Sequence, residues 1–280
     1  MNIPFTKMHG LGNDFIVIDA VSRDISISPE RIRELAHRRF GIGFDQLLLV
    51  EPPSQDDVDF NYRIFNVDGG EVEHCGNGAR CFARFVRDKG LTDKNPVRVK
   101  TSNRILVLDM DEQGNVAVDM GVPVFVPAEI PLLATEQALT YQRSLDMDGE
   151  SIEVEFSALS MGNPHAVIKV EDLENTAVKD IGEALGKHPD FPEGVNVGFM
   201  EIVDRQHLKL RVFERGTGET LACGTGACAA VVSACRAGLL DNEVEVQLRG
   251  GSLSIHWDGD DQPVMMTGPT ASVFEGTVEI

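Results

Sequence analysis

Two cysteines stand in closely matched settings, an offset of 148 residues apart (223 − 75). The first opens Cys75-Gly76-Asn77-Gly78-Ala79 and the second Cys223-Gly224-Thr225-Gly226-Ala227. Helical spacing follows each: Ala79, Phe82, Ala83 and Val86 after the first, and Ala227 to Ala237 after the second. Each thiol is therefore expected where a loop turns into a helix. A helix start presents unpaired N–H groups and the positive end of the dipole. There a thiol is expected to ionise more readily, its pKa falling from about 8.5 to as low as about 3.5–7.5. The same N–H groups bind carboxylates, and Gly76, Gly78, Gly224 and Gly226 allow close approach of the backbone. A thiol on each face of a carbon that bears a carboxylate suits proton transfer with inversion. One thiolate removes the α-proton and the other thiol delivers a proton to the opposite face, which is racemisation or epimerisation. The pair must start in opposite protonation states and titrates as a coupled unit. No cofactor motif offers an electron sink, so helix ends, at about 0.3–2 kcal/mol each, and exclusion of water must stabilise the carbanion.

The correspondence extends well beyond the cysteines. At the same offset Arg63 falls on Arg211, Phe65 on Phe213, Gly70 on Gly218, Glu71 on Glu219, Gly90 on Gly238 and Leu91 on Leu239. Asn66 falls on Glu214, and at an offset of 150 (163 − 13) Asn13 falls on Asn163 and Gln46 on Asn196. The chain reads as two copies of one unit. A pseudo-twofold relation would gather both cysteines and these amides, which suit a small polar ligand, around one interdomain cleft.

The elements follow from local signals. Ser28-Pro29-Glu30 predicts a helix start, with the helix running to about Arg39. Strands are expected at 16–18, 47–50, 60–67, 97–100, 105–110 and 116–120. Pro123, Pro127 and Pro131 mark a stiff crossing segment. Further strands are expected at 152–156, 166–170, 208–214, 244–248, 252–257 and 264–267, with 194–199 entering another and a short helix at 180–186. A last strand, 271–280, can return to the first half. The helix after Cys223 is apolar nearly all round, so a sheet should curl about it. The halves are expected at 1–122 with 269–280, carrying Cys75, and at 123–268, carrying Cys223.

The chain has 280 residues, 42% hydrophobic and 25% charged, which fits a globular protein of about two domains. Its net charge of −20 argues against nucleic-acid and anionic-lipid surfaces. No signal pattern and no apolar run of about 18–20 residues is present, so a cytoplasmic protein is expected. Five cysteines, without a Cys-x-x-Cys pair, point to free thiols rather than disulfides, with no structural zinc. Cys81, Cys228 and Cys235 read as small buried apolar side chains.

The chain resembles the diaminopimelate epimerase family from end to end. The resemblance is carried by Lys7-Met8-His9-Gly10-Leu11-Gly12-Asn13-Asp14-Phe15, Gly43-Phe44-Asp45-Gln46, Cys75-Gly76-Asn77-Gly78-Ala79-Arg80-Cys81, Met161-Gly162-Asn163-Pro164-His165, Glu214-Arg215-Gly216 and Cys223-Gly224-Thr225-Gly226-Ala227-Cys228. It implies an α+β fold of two pseudo-symmetric domains, each a curved, mostly antiparallel, barrel-like sheet around a central helix. It implies cofactor-independent conversion of LL- to meso-2,6-diaminopimelate, a step toward lysine and peptidoglycan, by a homodimer. Cys75 and Cys223 would be the acid/base pair, with His165 and Glu214 aiding thiol protonation and binding of the reacting ammonium. Gly76, Asn77, Gly224 and Thr225 would hold the reacting carboxylate. Asn13, Gln46, Asn66, Asn163, Asn196 and Arg215 would hold the rest of the substrate, Arg215 taking the distal carboxylate.

Rival readings exist. A proline or hydroxyproline racemase could use the same fold. Gly224-Thr225-Gly226-Ala227-Cys228-Ala229 loosely matches a dinucleotide fingerprint, but Gly216 to Thr220 separates it from the preceding strand. A redox protein cycling a Cys75–Cys223 disulfide is the third.

Overall fold

The computed structural model describes residues 1–72, 76–147 and 149–279; Cys75 and Ile280 lie outside them. The chain divides into two compact units, Met1–Asp119 with Thr267–Ile280, and Met120–Met266.

In the first unit β1 (Asn2–Gly10) turns back antiparallel on β2 (Asn13–Asp19). Helix α1 (Pro29–Ala36) follows, capped by the Ser28 side chain, which accepts from the Arg31 N–H. β3 (Gln46–Glu51) lies parallel to β2, and β4 (Phe60–Asn66) antiparallel to β3. The short β5 (Glu71–Val72) pairs back on β4. Helix α2 (Gly76–Asp88) is followed by β6 (Val97–Lys100), parallel to β4, and by β7 (Ile105–Met110) and β8 (Val116–Asp119), each antiparallel to the strand before it.

The second unit opens with β9 (Tyr141–Met147), paired with β10 (Glu150–Ser160). From β10 onward it repeats the first. β11 (Pro164–Lys169) is antiparallel to β10, α3 (Val178–Gly186) follows, and β12 (Asn196–Ile202) is parallel to β11. β13 (His207–Glu214) is antiparallel to β12, and β14 (Gly218–Thr220) pairs back on β13. Helix α4 (Gly224–Arg236) precedes β15 (Glu243–Leu248), parallel to β13, then β16 (Gly251–His256) and β17 (Met265–Gly268). The final strand, β18 (Ala271–Glu279), pairs antiparallel along β1, with Asn2 opposite Glu279.

The fold is thus α+β and mostly antiparallel, with two parallel pairs among the described residues of each unit. The register repeats too: Phe15 faces Gln46 in one unit and His165 faces Asn196 in the other. So do the ion pairs, since Arg63 holds Glu71 through two hydrogen bonds and Arg211 holds Glu219 in the same way.

Alternating strand residues supply two apolar layers per unit. In the first, Ile16, Ile18, Leu47, Leu49 and Phe65 pack with Ile32 and Leu35 of α1. In the second, Ala166, Ile168, Val197 and Phe199 pack with Val178 and Leu185 of α3. Helices α2 and α4 pack against the strands of their own units. α4 is buried from Ala227 to Ala234, as its uninterrupted apolar sequence requires.

Several elements depart from expectation. α1 ends at Ala36, because His37 leaves helical geometry and its Nδ1 accepts the N–H groups of Arg39 and Phe40, both at 3.1 Å. β1, β5, β9 and β14 have no counterparts among the expected strands.

Candidate active site

In the first unit the candidate residues form two hydrogen-bonded groups. Asn77, in the first turn of α2, donates from Nδ2 to Asn13 Oδ1 at 3.2 Å. Asn13, at the start of β2, donates to Asp45 Oδ2 at 2.8 Å. Behind Asn77 the fully buried Arg80 donates from Nη2 to Asn77 Oδ1 at 3.0 Å. Gln46 and Asn66, facing each other across β3 and β4, are joined by a 2.8 Å bond from Gln46 Nε2 to Asn66 Oδ1. Gln46 Oε1 is a buried acceptor with no hydrogen-bond partner among the described residues.

The group that holds Asn13 and Asn77 is anchored by charges. Asp14 receives Lys7 at 2.6 Å and Arg38 at 2.8 Å, and Arg38 also reaches Asp45 at 2.7 Å. Burial alone would raise the Asp14 pKa, but hydrogen bonds from Arg38 and Lys7 outweigh it and bring it to about 2.

In the second unit Cys223 is the N-cap of α4, its backbone extended at φ −122° and ψ 110°. Its carbonyl accepts the first helical N–H, from Ala227, at 2.9 Å. The side chain is buried, and Sγ lies 3.6 Å from Thr225 Oγ1. Gly226 sits where a Cβ would come 3.0 Å from Val212 Cγ2 and 3.2 Å from the Cys223 sulfur. Glycine here lets the first turn of α4 press on β13 while leaving the thiol its space. Gly78 occupies the matching place in α2, where a Cβ would collide with the Tyr62 hydroxyl.

The Cys223 thiol corrects one expectation. Its pKa is raised well above 9.0 rather than lowered, first by burial and then by the Glu214 carboxylate. Thr225 and the Gly226 N–H act in the opposite sense but do not prevail. The helix start is present, yet a buried thiolate next to an anion is the costlier state. Cys223 is a neutral thiol.

His165 is likewise neutral. Burial, then the charge of Arg215, lowers its pKa to about 3. With the proton on Nε2 it donates to Asn163 Oδ1 at 3.0 Å, and buried Nδ1 remains an acceptor without a partner among the described residues. Asn196 Nδ2 donates to the Pro164 carbonyl at 3.2 Å, and its Oδ1 accepts the Arg215 N–H at 2.9 Å. These bonds tie the end of β13 to the start of β11. The exposed Arg215 guanidinium is steered by a 2.6 Å bond to the Glu193 carbonyl. Glu214 accepts the Thr220 hydroxyl at 2.5 Å.

The structure brings Asn13, Gln46, Asn66 and Asn77 together as two hydrogen-bonded pairs in the first unit. It gathers Asn163, His165, Asn196, Glu214, Arg215, Cys223 and Thr225 in the second. Gly76 and Gly224 open the two helices. Cys75 lies outside the described residues. Sequence reasoning did not single out Asp45, Arg80 or Thr220. Asp45 and Arg80 fell inside quoted motifs, whereas Thr220 carried no sequence signal, since the short strand that sets it beside Glu214 is seen only in the fold. Among the described residues no cluster of three His, Cys, Asp or Glu side chains could hold a metal ion.

Comparison with known proteins supplies the family. Residues 5–126 and 157–273 match the model of the diaminopimelate epimerase family. The chain belongs to the diaminopimelate epimerase family. It is 61% identical, over the whole of both chains, to a diaminopimelate epimerase of Nitrosomonas europaea, and 59% identical over the same extent to one of Azotobacter vinelandii. By fold it resembles a Bacillus anthracis phenazine biosynthesis protein of the PhzF family, with a TM-score of 0.71 at 19% identity over the whole of both chains. It also resembles a hydroxyproline epimerase of Agrobacterium vitis with bound trans-4-hydroxy-L-proline, with a TM-score of 0.71 at 17% identity over 99% of this chain and 92% of that one. At such identities the likeness concerns fold alone. Fold does not separate this family from a proline-type racemase; the family match does.

Proposed function

We propose that the chain is an isomerase that interconverts LL- and meso-2,6-diaminopimelate without a cofactor, through Cys75 and Cys223. The observation that carries this reading is the Cys-Gly-x-Gly repeat, whose second member stands at the cap of α4 as a neutral thiol beside Glu214. In the direction that starts with Cys223 protonated, Cys75 starts as the thiolate. Cys75 takes the α-proton, and the electron pair of the broken C–H bond is left on a carbanion beside the carboxylate. Cys223 delivers its own proton to the opposite face and becomes the thiolate. Atoms and charge balance, and the two thiols have exchanged states. The reverse reaction runs from that exchanged state.

Gly76, Asn77, Gly224 and Thr225, at the first turns of α2 and α4, supply N–H groups and polar side chains for the reacting carboxylate. Glu214 and the acceptor Nδ1 of His165 suit the ammonium and the proton balance of the thiols. Because His165 is neutral, it serves as an acceptor rather than as a stored proton. Asn13, Gln46, Asn66, Asn163 and Asn196 suit the remaining polar groups, and Arg215 a second carboxylate. That second charged end favours diaminopimelate over proline. A cytoplasmic homodimer belongs to the same reading, with the exposed apolar Val273 and Phe274 of β18 as surface for a second copy. Sedimentation tests that part.

The test is to incubate reduced, purified protein with LL-diaminopimelate, proline or hydroxyproline in separate reactions and to resolve the stereoisomers. Only diaminopimelate is expected to change. Inversion of proline with diaminopimelate untouched would mean that the substrate has been misread.

A further inference from the structure

The two copies differ in the strand pair that precedes each cysteine. In the second, Thr220 Oγ1 donates to Glu214 Oε1 at 2.5 Å. β13 and β14 are antiparallel, with Thr220 opposite Val212 and Glu214 opposite Gly218, so the hydroxyl and the carboxylate are diagonal neighbours on one face. In the first copy the matching residues are Asn66 and Val72, with Val72 opposite Ile64. There the side-chain acceptor takes Gln46 Nε2 instead. An ionised carboxylate only accepts hydrogen bonds, and close to a buried thiol it needs a donor to stay charged and in place. The repeat has therefore changed two residues together: an amide beside a valine has become a carboxylate beside a hydroxyl.

We propose that Thr220 is a positioning residue for the reaction, its hydroxyl fixing the Glu214 carboxylate beside the Cys223 thiol. The inference rests on the two-thiol reading above. With one carboxylate oxygen occupied by Thr220, Glu214 is turned so that it accepts from the Cys223 S–H. That hydrogen bond, with burial and the carboxylate charge, is among the influences that keep the thiol protonated. Without the hydroxyl, Glu214 is free to rotate, and Cys223 loses the neighbour that holds its proton.

Thr220→Val is the direct test, because valine is the residue the other copy carries at this position. The full-length protein is assayed for turnover of LL-diaminopimelate and, separately, for the rate at which iodoacetamide labels each cysteine at neutral pH, read by mass spectrometry. Turnover is expected to fall about tenfold and labelling of Cys223 to rise several-fold, while labelling of buried Cys81 and Cys228 stays unchanged. Thr220→Ser, which keeps the hydroxyl, is expected to restore both. In a Glu214→Gln background, Thr220→Val should cost less than about twofold more, since the hydroxyl acts through the carboxylate. If the valine variant does not fold, as faster labelling of Cys81 and Cys228 would show, Thr220→Ala carries the same comparison. Wild-type turnover and labelling in the hydroxyl-free variant, or an equal loss in Thr220→Ser, overturns the proposal. Cys223→Ala run alongside separates the two claims. If it keeps its turnover, the two-thiol reading fails; if it is inactive while Thr220→Val behaves as wild type, only the role of Thr220 fails.

Discussion

The neutral state of Cys223 and His165 ties the second unit's chemistry to pH. Cys223 binds its proton more tightly folded than unfolded, so its contribution to stability is complete below about pH 9 and is lost as pH rises through the higher folded value. His165 runs the other way. Its pKa falls from 6.5 to about 3 on folding, so its contribution is complete above pH 6.5 and drains away as pH drops toward 3. His165→Gln is expected to flatten the decline in urea midpoint between pH 6.5 and 4, while an unchanged slope would show that the imidazole is not held neutral. In the first unit, burial ranks the partners of Asp14. The Lys7 and Asp14 side chains are 9% and 16% exposed, whereas Arg38 is 58% exposed. Lys7→Ala leaves Asp14 with the exposed Arg38 as its charged partner and is expected to cost about 3 kcal/mol, whereas Arg38→Ala keeps the buried Lys7 partner and should cost less than about 1 kcal/mol. Chemical denaturation measures both, and the reverse order would refute the ranking. Residue types made Asn13, Gln46, Asn163 and Asn196 visible in the sequence, because side-chain amides recur at one offset. The direction of the Cys223 shift was not visible, since it depends on burial and on Glu214, nine residues earlier in the chain.

The two central helices depend on how closely their first turns meet a strand. Gly226→Ala would drive a methyl group toward Val212 and the Cys223 sulfur. The expected result is turnover reduced at least about tenfold, with a stability loss of about 1–3 kcal/mol from overpacking. Wild-type turnover with a normal melting point would show that the turn has room to spare. The same helices were easy to read from sequence, because their apolar spacing is regular and Gly90 and Gly238 end them with positive φ. β9 was not. Tyr141 and Leu145 are buried, but Arg143, between them, is only partly so and carries its charge to Asp190. Alternation over seven residues is therefore too faint to register. α1 looked longer than it is because the polar face continues through Arg38 and Arg39. The stop comes from the His37 ring and from Gly41, where a Cβ would strike the Glu34 and Leu35 carbonyls.

Across the whole molecule, the first unit is assembled from both ends of the chain and the second from a continuous stretch. β18 covers the edge of β1, and the Phe5 ring meets Phe274 edge-on with centroids 5.9 Å apart. Deleting residues 271–280 would uncover that edge, together with Ile3 and Phe5. Soluble yield is expected to collapse; a soluble product melting within a few degrees of the full chain would show that β18 is dispensable. The duplication was legible because glycines, cysteines and an Arg–Glu pair recur at one offset, and the strand registers repeat it. Inversion of one carbon by two thiols is tested by proton NMR of the reduced protein with LL-diaminopimelate in D2O, without added cofactor. Solvent deuterium is expected at the α-carbon of the meso isomer as that isomer appears, and no meso isomer from either Cys75→Ala or Cys223→Ala. Meso product formed without deuterium, or near-normal turnover in either variant, would contradict inversion by two thiols.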